Sequence, residues 1–278
     1  MPELPEVEEV RRTLIAAVRD EIIDGVTVLR PDYVRHGRKT IRNLKGSGII
    51  DITRLGKRLF WQLTPSACMV THLGMTGRIT LRPDDKPAEP HTHLVLGLKT
   101  GKFLHFSDAR RFGGVWLYAA ESQALQAHVT GRLGADALNL AVTDLDGWKQ
   151  KRVPLKAELL SQKTVAGLGN IYVDEALWMA RLHPLRRVDQ LPHAARALLT
   201  HCIHEVLHAS LAMGGTTLRD YRDANANAGR FAQSLNVYGR AGQPCRRCGT
   251  TLRKFLIAQR TTVICPKCQR AGRHRTEK

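Results

Sequence analysis

Met1-Pro2-Glu3-Leu4-Pro5-Glu6 opens the chain. Proline at the second position is small enough for the initiator Met1 to be removed, which leaves a secondary amine at the start of the mature chain. An α-amino group loses its proton near pH ~8, against ~10.4 for lysine, so at neutral pH it can attack an electrophilic carbon and form an iminium. Glu3 is placed to carry protons for such a step. The same six residues also read as a helix start, with Pro5 in the first turn and Glu6, Glu8 and Glu9 favoured by the positive end of the helix dipole. Taken alone they leave both readings open.

Cys245-x-x-Cys248 and Cys265-x-x-Cys268 lie sixteen residues apart. Each pair can occupy a tight turn, and four thiolates at tetrahedral geometry select zinc with no open coordination position, hence a structural ion. A disulfide pair or unligated thiols are the competing reading. Between the pairs, residues 251–260 read as a hairpin carrying basic side chains suited to phosphate. A second metal pattern, His204-Glu205-Val206-Leu207-His208, matches the H-E-x-x-H of zinc proteases. At 100° per residue, however, Leu198, Leu199, Cys202, Ile203 and Val206 share one helix side, and His201, His204 and His208 fall on the opposite one. They read as a solvated face with no third ligand.

Two glycine-flanked turns complete the candidates, His72-Leu73-Gly74-Met75-Thr76-Gly77 and Asp108-Ala109-Arg110-Arg111-Phe112-Gly113-Gly114. Met75 and Phe112 in such turns are ordinarily core residues. In a protein that extrudes a nucleotide from duplex DNA, an apolar wedge and a cation would instead fill the hole left behind.

These residues need elements to hold them. Val7, Val10, Leu14, Ile15 and Val18 recur at helical spacing, which predicts an amphipathic helix over 6–18. Eight short β-branched or aromatic runs follow, at 26–28, 48–55, 58–63, 68–73, 78–81, 94–98, 103–106 and 115–118, and predict a β-sandwich or flattened barrel. The pattern loosens from about 121 to 146. Helices then dominate, over 155–161, 170–182 and 194–213, with Gly214-Gly215 ending the last. Residues 216–235 read as a mobile polar loop. The 278 residues suffice for two domains, and 43 Lys and Arg against 25 Asp and Glu give a net charge of +18. Such an excess calls for a polyanionic partner, nucleic acid first and an anionic membrane surface second. No run approaches the ~20 apolar residues of a membrane span and no signal peptide is evident, so the expectation is a soluble intracellular protein. Cys68 and Cys202 read as buried thiols.

Met1 to Glu8, Gly56-Lys57, His72-Leu73-Gly74-Met75, Arg110-Arg111-Phe112-Gly113, Gly167-Leu168-Gly169-Asn170-Ile171-Tyr172, Gly214 to Leu218, Val237-Tyr238-Gly239-Arg240 and the closing four-cysteine knuckle occur in that order. In this the chain closely resembles the formamidopyrimidine-DNA glycosylases. Leu4 sets it apart from the sister endonuclease VIII, which reads like Pro-Glu-Gly-Pro at that place. The resemblance implies a bifunctional base-excision repair enzyme that removes oxidised purines, formamidopyrimidines and 8-oxoguanine, and then cuts the strand by β,δ-elimination. It implies that Pro2 attacks C1′ of a flipped nucleotide to give a Schiff base, with Glu3 moving protons. Lys57 matches the lysine assigned to β-elimination, and Arg260 the arginine assigned to δ-elimination. His91, Arg110 and Arg152 fall at DNA-contact positions, with Arg152 replacing a usual lysine, and Lys156 and Asn170 at phosphate-binding positions. Met75, Arg111 and Phe112 match a void-filling trio, and Cys245, Cys248, Cys265 and Cys268 the ligands of one Zn2+.

The expected architecture is α+β. It has an N-terminal helix and β-sandwich catalytic domain over 1–125, a linker over 126–146, a helix-two-turn-helix DNA-binding domain over 147–235 and a zinc-ribbon hairpin over 236–270. Damaged double-stranded DNA would lie in a basic cleft between the domains of a monomer working in the bacterial cytoplasm, on the nucleoid. Two features depart from the family. Gly131 to Leu138 lacks the usual linker prolines, and Asn225-Ala226-Asn227-Ala228-Gly229 replaces a stretch like Ser-Asp-Gly-x-x-Gly. Without aspartate-glycine turn chemistry in the loop thought to cover the base, weaker closure and slow excision of 8-oxoguanine are expected. A DNA-binding module without catalysis is the rival reading, opposed by the joint presence of Pro2, Glu3 and Lys57, and a zinc protease is a distant third.

Overall fold

The structure, a computed structural model, describes residues 2–83, 88–217, 223–224 and 227–271. The chain divides into two compact units, Met1–Arg132 with Ser210–Ala232, and Leu133–Ala209 with Gln233–Lys278. The class is α+β, as the sequence pattern requires.

The first unit begins with α1 (Leu4–Val18), whose Val7, Val10, Leu14 and Val18 are buried at the predicted spacing. Nine strands follow: β1 (Ile23–Val28), β2 (Val34–His36), β3 (Ile49–Leu55), β4 (Arg58–Leu63), β5 (Ala67–His72), β6 (Gly77–Arg82), β7 (Thr92–Leu98), β8 (Phe103–Asp108) and β9 (Gly114–Ala119). They form a four-stranded sheet in the order β1-β7-β8-β6 and a five-stranded sheet in the order β2-β9-β5-β4-β3. Every pairing is antiparallel except β2 with β9. Ile79, Leu94, Leu96, Leu104 and Phe106 of one sheet and Ile52, Leu59, Trp61, Met69 and Val115 of the other join the apolar face of α1 in a single core. This sandwich matches the expectation, with β2 as one strand more than the pattern predicts. At three residues it has no alternation to read. A short helix, α2 (Gln123–His128), starts where Ser122 accepts the Leu125 N–H; it begins just ahead of the stretch read as linker, in a run of Ala, Gln and His too short for a period.

The second unit contains β10 (Ala135–Asp136), α3 (Leu155–Leu160), β11 (Val165–Ala166), α4 (Asn170–Met179), α5 (His193–Ala212), which ends within the first unit, and the hairpin of β12 (Arg253–Ile257) and β13 (Arg260–Ile264). α3 and α4 are joined by the predicted glycine-containing turn, in which Gln162 holds the Gly167 N–H and the Leu168 carbonyl. On α5, Leu199, Cys202, Ile203, Val206 and Leu207 are buried and His201 and His208 exposed, as read from the helical wheel, whereas Leu198 is 48% exposed. Leu207 lies opposite Leu198 on the wheel, so the packed face is turned away from Leu198 and toward Leu207. Among the described residues no helix is long and apolar enough to cross a membrane.

Candidate active site and zinc centre

The N-terminus is fixed by one carboxylate. Pro2, Glu3 and Glu6 are all buried. The Glu3 N–H donates to Glu6 Oε2 at 2.8 Å, and the Thr216 N–H donates to Glu6 Oε1 at 2.7 Å. Glu3 is the N-cap of α1, so the first bond is half of a capping box. The second ties the helix start to the segment after α5, 210 residues along the chain. That segment is further held by the Phe231 N–H donating to the Gly215 carbonyl and by Gly229, whose N–H donates to Thr217 Oγ1.

Residues 216–235 read from sequence as a mobile loop, and Asn225 and Ala226 of the altered stretch lie outside the described residues. The described residues on either side of them are joined by the Asp223 carboxylate. Asp223 Oδ1 accepts the Asn227 N–H at 2.7 Å, Oδ2 accepts Asn227 Nδ2 at 3.1 Å, and Ala224 is buried in the core.

Lys57 sits in the two-residue turn between β3 and β4, where Leu55 pairs with Arg58. Gly56 has φ +59° and Lys57 does not enter the left-handed region, the arrangement of a type II′ turn, which puts glycine at its first central position. Lys57 is 9% exposed. Nearby His72 is held down to about 4 by burial first and then by the charges of Arg58 and Lys57, so it is neutral at pH 7.

The two glycine turns meet backbone to backbone. A Cβ on Gly74 would lie 2.4 Å from the Gly113 nitrogen, and one on Gly113 2.2 Å from the His72 carbonyl oxygen. Buried Asp108 organises the contact. Its carboxylate accepts the Thr76 hydroxyl and the N–H groups of Gly113 and Arg110, and its carbonyl meets the His93 ring at 2.8 Å. Met75 is thereby brought beside the loop of Arg111 and Phe112, as the sequence-based grouping requires. Phe112 is 56% exposed under the Arg110 guanidinium, 4.5 Å from ring centroid to Cζ. Arg111 has φ +53°, donates to Asp32 at 2.9 Å, and gives its carbonyl to Arg35. His91, exposed, also has a left-handed backbone at φ +68°. Strain of this kind persists where surrounding contacts over-determine it.

In the second unit, Lys156 is fully buried and donates to Asp174 Oδ1 at 2.6 Å and to the Thr261 carbonyl at 3.3 Å. Burial pushes Asp174 up to about 6, against the pull of Lys156 and of the Val263 N–H. Asn170 Nδ2 donates to the same Thr261 carbonyl at 2.8 Å. Lys156 and Asn170 thus meet at the hairpin residue next to Arg260. The β12–β13 turn carries Ala258 and Asn-like geometry without asparagine: Ala258 and Gln259 have φ +48° and +59°, and the exposed Arg260 follows directly. Arg152 is exposed. The pairs Asp174–Lys156 and Glu8–Arg54 had no signal in the sequence, because their partners are 18 and 46 residues apart.

The four cysteines form the one group of three or more metal-ligating side chains among the described residues, with all ligand atoms within 4.8 Å of one another. Zn–S bonds near 2.3 Å imply S···S edges of about 3.8 Å in a tetrahedron; Cys248 lies 3.4 Å from Cys265 and 3.5 Å from Cys268. The set therefore fits one zinc ion and leaves it no open position. A hydrogen bond from Thr250 holds Cys248 down to about 6, while burial pushes Cys268 up to about 12. Trp178 Nε1 donates to Cys245 Sγ at 3.4 Å, and the Arg247 guanidinium lies over the Trp178 ring, 4.1 Å from its centroid. His204 and His208 stack edge to face and join no such group.

The sequence matches the Formamidopyrimidine-DNA glycosylase N-terminal domain over residues 1–115, the Formamidopyrimidine-DNA glycosylase H2TH domain over 133–222 and the Zinc finger found in FPG and IleRS over 242–271. A formamidopyrimidine-DNA glycosylase of Heliobacterium modesticaldum is 41% identical, with 97% of this chain and 100% of the relative covered. The chain belongs to the formamidopyrimidine-DNA glycosylase family. Among solved family structures, a Lactococcus lactis FPG mutant bound to Fapy-dG containing DNA superposes with a TM-score of 0.90 at 34% identity, covering 97% of this chain and 100% of that one. MutM in complex with carbocyclic 8-oxo-G containing DNA gives 0.89 at 33%, with the same coverage. As in the family's zinc finger, the cysteine cluster is the site of one structural zinc ion.

Zinc analysis of the purified protein should give about one ion per chain. Cys248→Ser should lose it, and the double change His204→Ala with His208→Ala should keep it. Metal loss in the histidine variant would contradict the assignment.

Proposed function

We propose that this family member is a bifunctional DNA glycosylase and abasic-site lyase that removes oxidised purines, formamidopyrimidines and 8-oxoguanine, from duplex DNA. The observation that carries the reading is the buried Pro2-Glu3 pair at the capped start of α1, held by Glu6. Removal of Met1 frees the Pro2 amine, and the positive end of the helix disfavours its protonated form. The net charge of +18 supplies phosphate affinity, and the relatives solved with Fapy-dG and 8-oxo-G DNA support the lesion class. The protein acts as a single chain on the bacterial nucleoid, in the cytoplasm.

The reaction follows from these groups. The Pro2 nitrogen bonds to C1′ as the bond from C1′ to the base breaks, and the base leaves with a proton. Glu3 passes a proton to the sugar ring oxygen, the ring opens, and an iminium joins Pro2 to C1′. The iminium acidifies C2′; loss of that proton expels the 3′ phosphate with Lys57 serving the transfer. A second elimination, aided by Arg260, expels the 5′ phosphate. His91, Arg110, Arg152 and Asn170 hold the backbone; Lys156, which the family resemblance puts at a phosphate-binding position, is buried against Asp174 and sets the Thr261 end of the hairpin from which Arg260 projects. Zinc, when bound, supplies no chemistry beyond fixing the fold of that hairpin's base. Met75, Arg111 and Phe112 occupy the space vacated by the flipped nucleotide. We also assign residues 1–125 to the catalytic domain, 126–146 to the linker, 147–235 to DNA binding and 236–270 to the zinc finger.

Borohydride should reduce the iminium on duplex DNA bearing an oxidised purine to a crosslink whose peptide begins at Pro2. A crosslink mapped to Lys57 in processed enzyme would overturn the assignment of the nucleophile. Phe112→Ala should slow excision while costing far less stability than the ~3–5 kcal/mol of a deleted core phenylalanine. Loss of that much stability with unaltered excision by the folded fraction would make Phe112 a packing residue.

A further inference from the structure

Arg54, near the end of β3, has no part in the chemistry above. Its side chain is 6% exposed. The guanidinium is shared between two elements: Nε donates to Glu8 Oε2 on α1 at 2.9 Å, and Nη1 donates to the Gly56 carbonyl at 2.9 Å. Gly56 immediately precedes Lys57 in the β3–β4 turn. The peptide between them is planar, so holding the Gly56 carbonyl fixes the plane from which Lys57 starts.

Glu8 is itself a hub. Arg11 donates to both of its oxygens and Arg12 to Oε1. Burial pushes the Glu8 carboxyl up, but the hydrogen bonds from Arg11 and Arg54 outweigh it and hold the group below its ordinary range. Glu8 is therefore an anion fixed on α1, the helix that carries Pro2 and Glu3 at its start, and it stays paired if Arg54 is removed.

We propose that Arg54 is a positioning residue that fixes Lys57 relative to the Pro2 amine by bracing the Gly56-Lys57 turn against α1. The inference rests on the reading of Pro2 as nucleophile and Lys57 as the group serving β-elimination. Elimination acts on a sugar already bonded to Pro2, so the distance between the two residues must be set before the substrate arrives. They belong to different elements, and lysine has a long flexible stem, so its reach depends on where its backbone begins. Two bonds from one planar guanidinium give that backbone a rigid link to the helix. A lysine at 54 would keep the charge beside Glu8 but lacks a fork able to hold both partners.

The test uses full-length processed enzyme and duplex DNA with a preformed abasic site, reading two rates: formation of the borohydride-trappable iminium, and strand cleavage. In Arg54→Lys and Arg54→Gln, iminium formation should stay within about twofold of the unaltered enzyme while cleavage slows about tenfold or more, so the trapped species accumulates. Arg12→Gln removes a Glu8 partner without touching Gly56 and should leave both rates unchanged. Normal cleavage in both Arg54 variants, or iminium formation and cleavage falling in step, would overturn the proposal. Lys57→Gln, run alongside, separates the two layers. If it cleaves normally, the reading of Lys57 fails and the brace with it; if it cleaves slowly while both Arg54 variants cleave normally, the brace alone fails.

Discussion

The Glu6 carboxylate is the constraint on which the first unit's site depends. Its two oxygens accept two backbone N–H groups, Glu3 at the start of the chain and Thr216 after α5. Both bonds are buried, and a buried charge that lost them would cost several kcal/mol. An N-terminus is ordinarily among the least ordered parts of a domain. Here the first helical turn cannot move without breaking a charge-assisted bond, and neither can the root of the 216–229 segment. The start of α1 and the residues that follow α5 are thus referred to the same side chain.

The same device recurs through the molecule. Asp108 gathers the two glycine turns, Glu8 collects three arginines, Asp174 joins α3 and α4 to the β12–β13 hairpin, and Glu175 accepts N–H groups from Asn236, Val237 and Tyr238. Among the described residues Glu3, Glu6, Glu8, Asp108, Glu158, Asp174, Glu175 and Asp223 are buried, whereas of the lysines and arginines Lys57, Lys156 and Arg196 are, together with the side chain of Arg54. These eight of the 25 acidic residues act as internal brackets. Most cations remain nearer the surface, some of them paired there, as Arg111 is with Asp32, and their excess over carboxylates gives the surface its positive potential.

Much of this was legible in the sequence, for identifiable reasons. The apolar spacing of α1, the β-branched runs of the sandwich and the two C-x-x-C pairs are local patterns, and each appears where the pattern puts it. β2 and α2 were not legible because three and six residues cannot display a period. Leu198 was misjudged because the wheel weighs hydrophobicity, while the packed face of α5 is set by what lies against it. The bonds of Asp223 to Asn227 and of Arg54 to Glu8 and Gly56 are invisible for a different reason. Each depends on which carboxylate the fold brings to which donor, and composition and spacing carry no trace of that.

The central claim, that one carboxylate holds both the helix start and the Thr216 segment, is tested most directly by amide hydrogen exchange on Glu6→Gln. A glutamine keeps the shape but replaces one acceptor oxygen with a donor and removes the charge. Exchange at Glu3 and Thr216 should rise together by about tenfold or more, for about 1–3 kcal/mol lost at a buried bond, while the strand amides of both sheets keep their protection. Unchanged exchange at both positions, or a rise spread evenly through the sandwich, would contradict it.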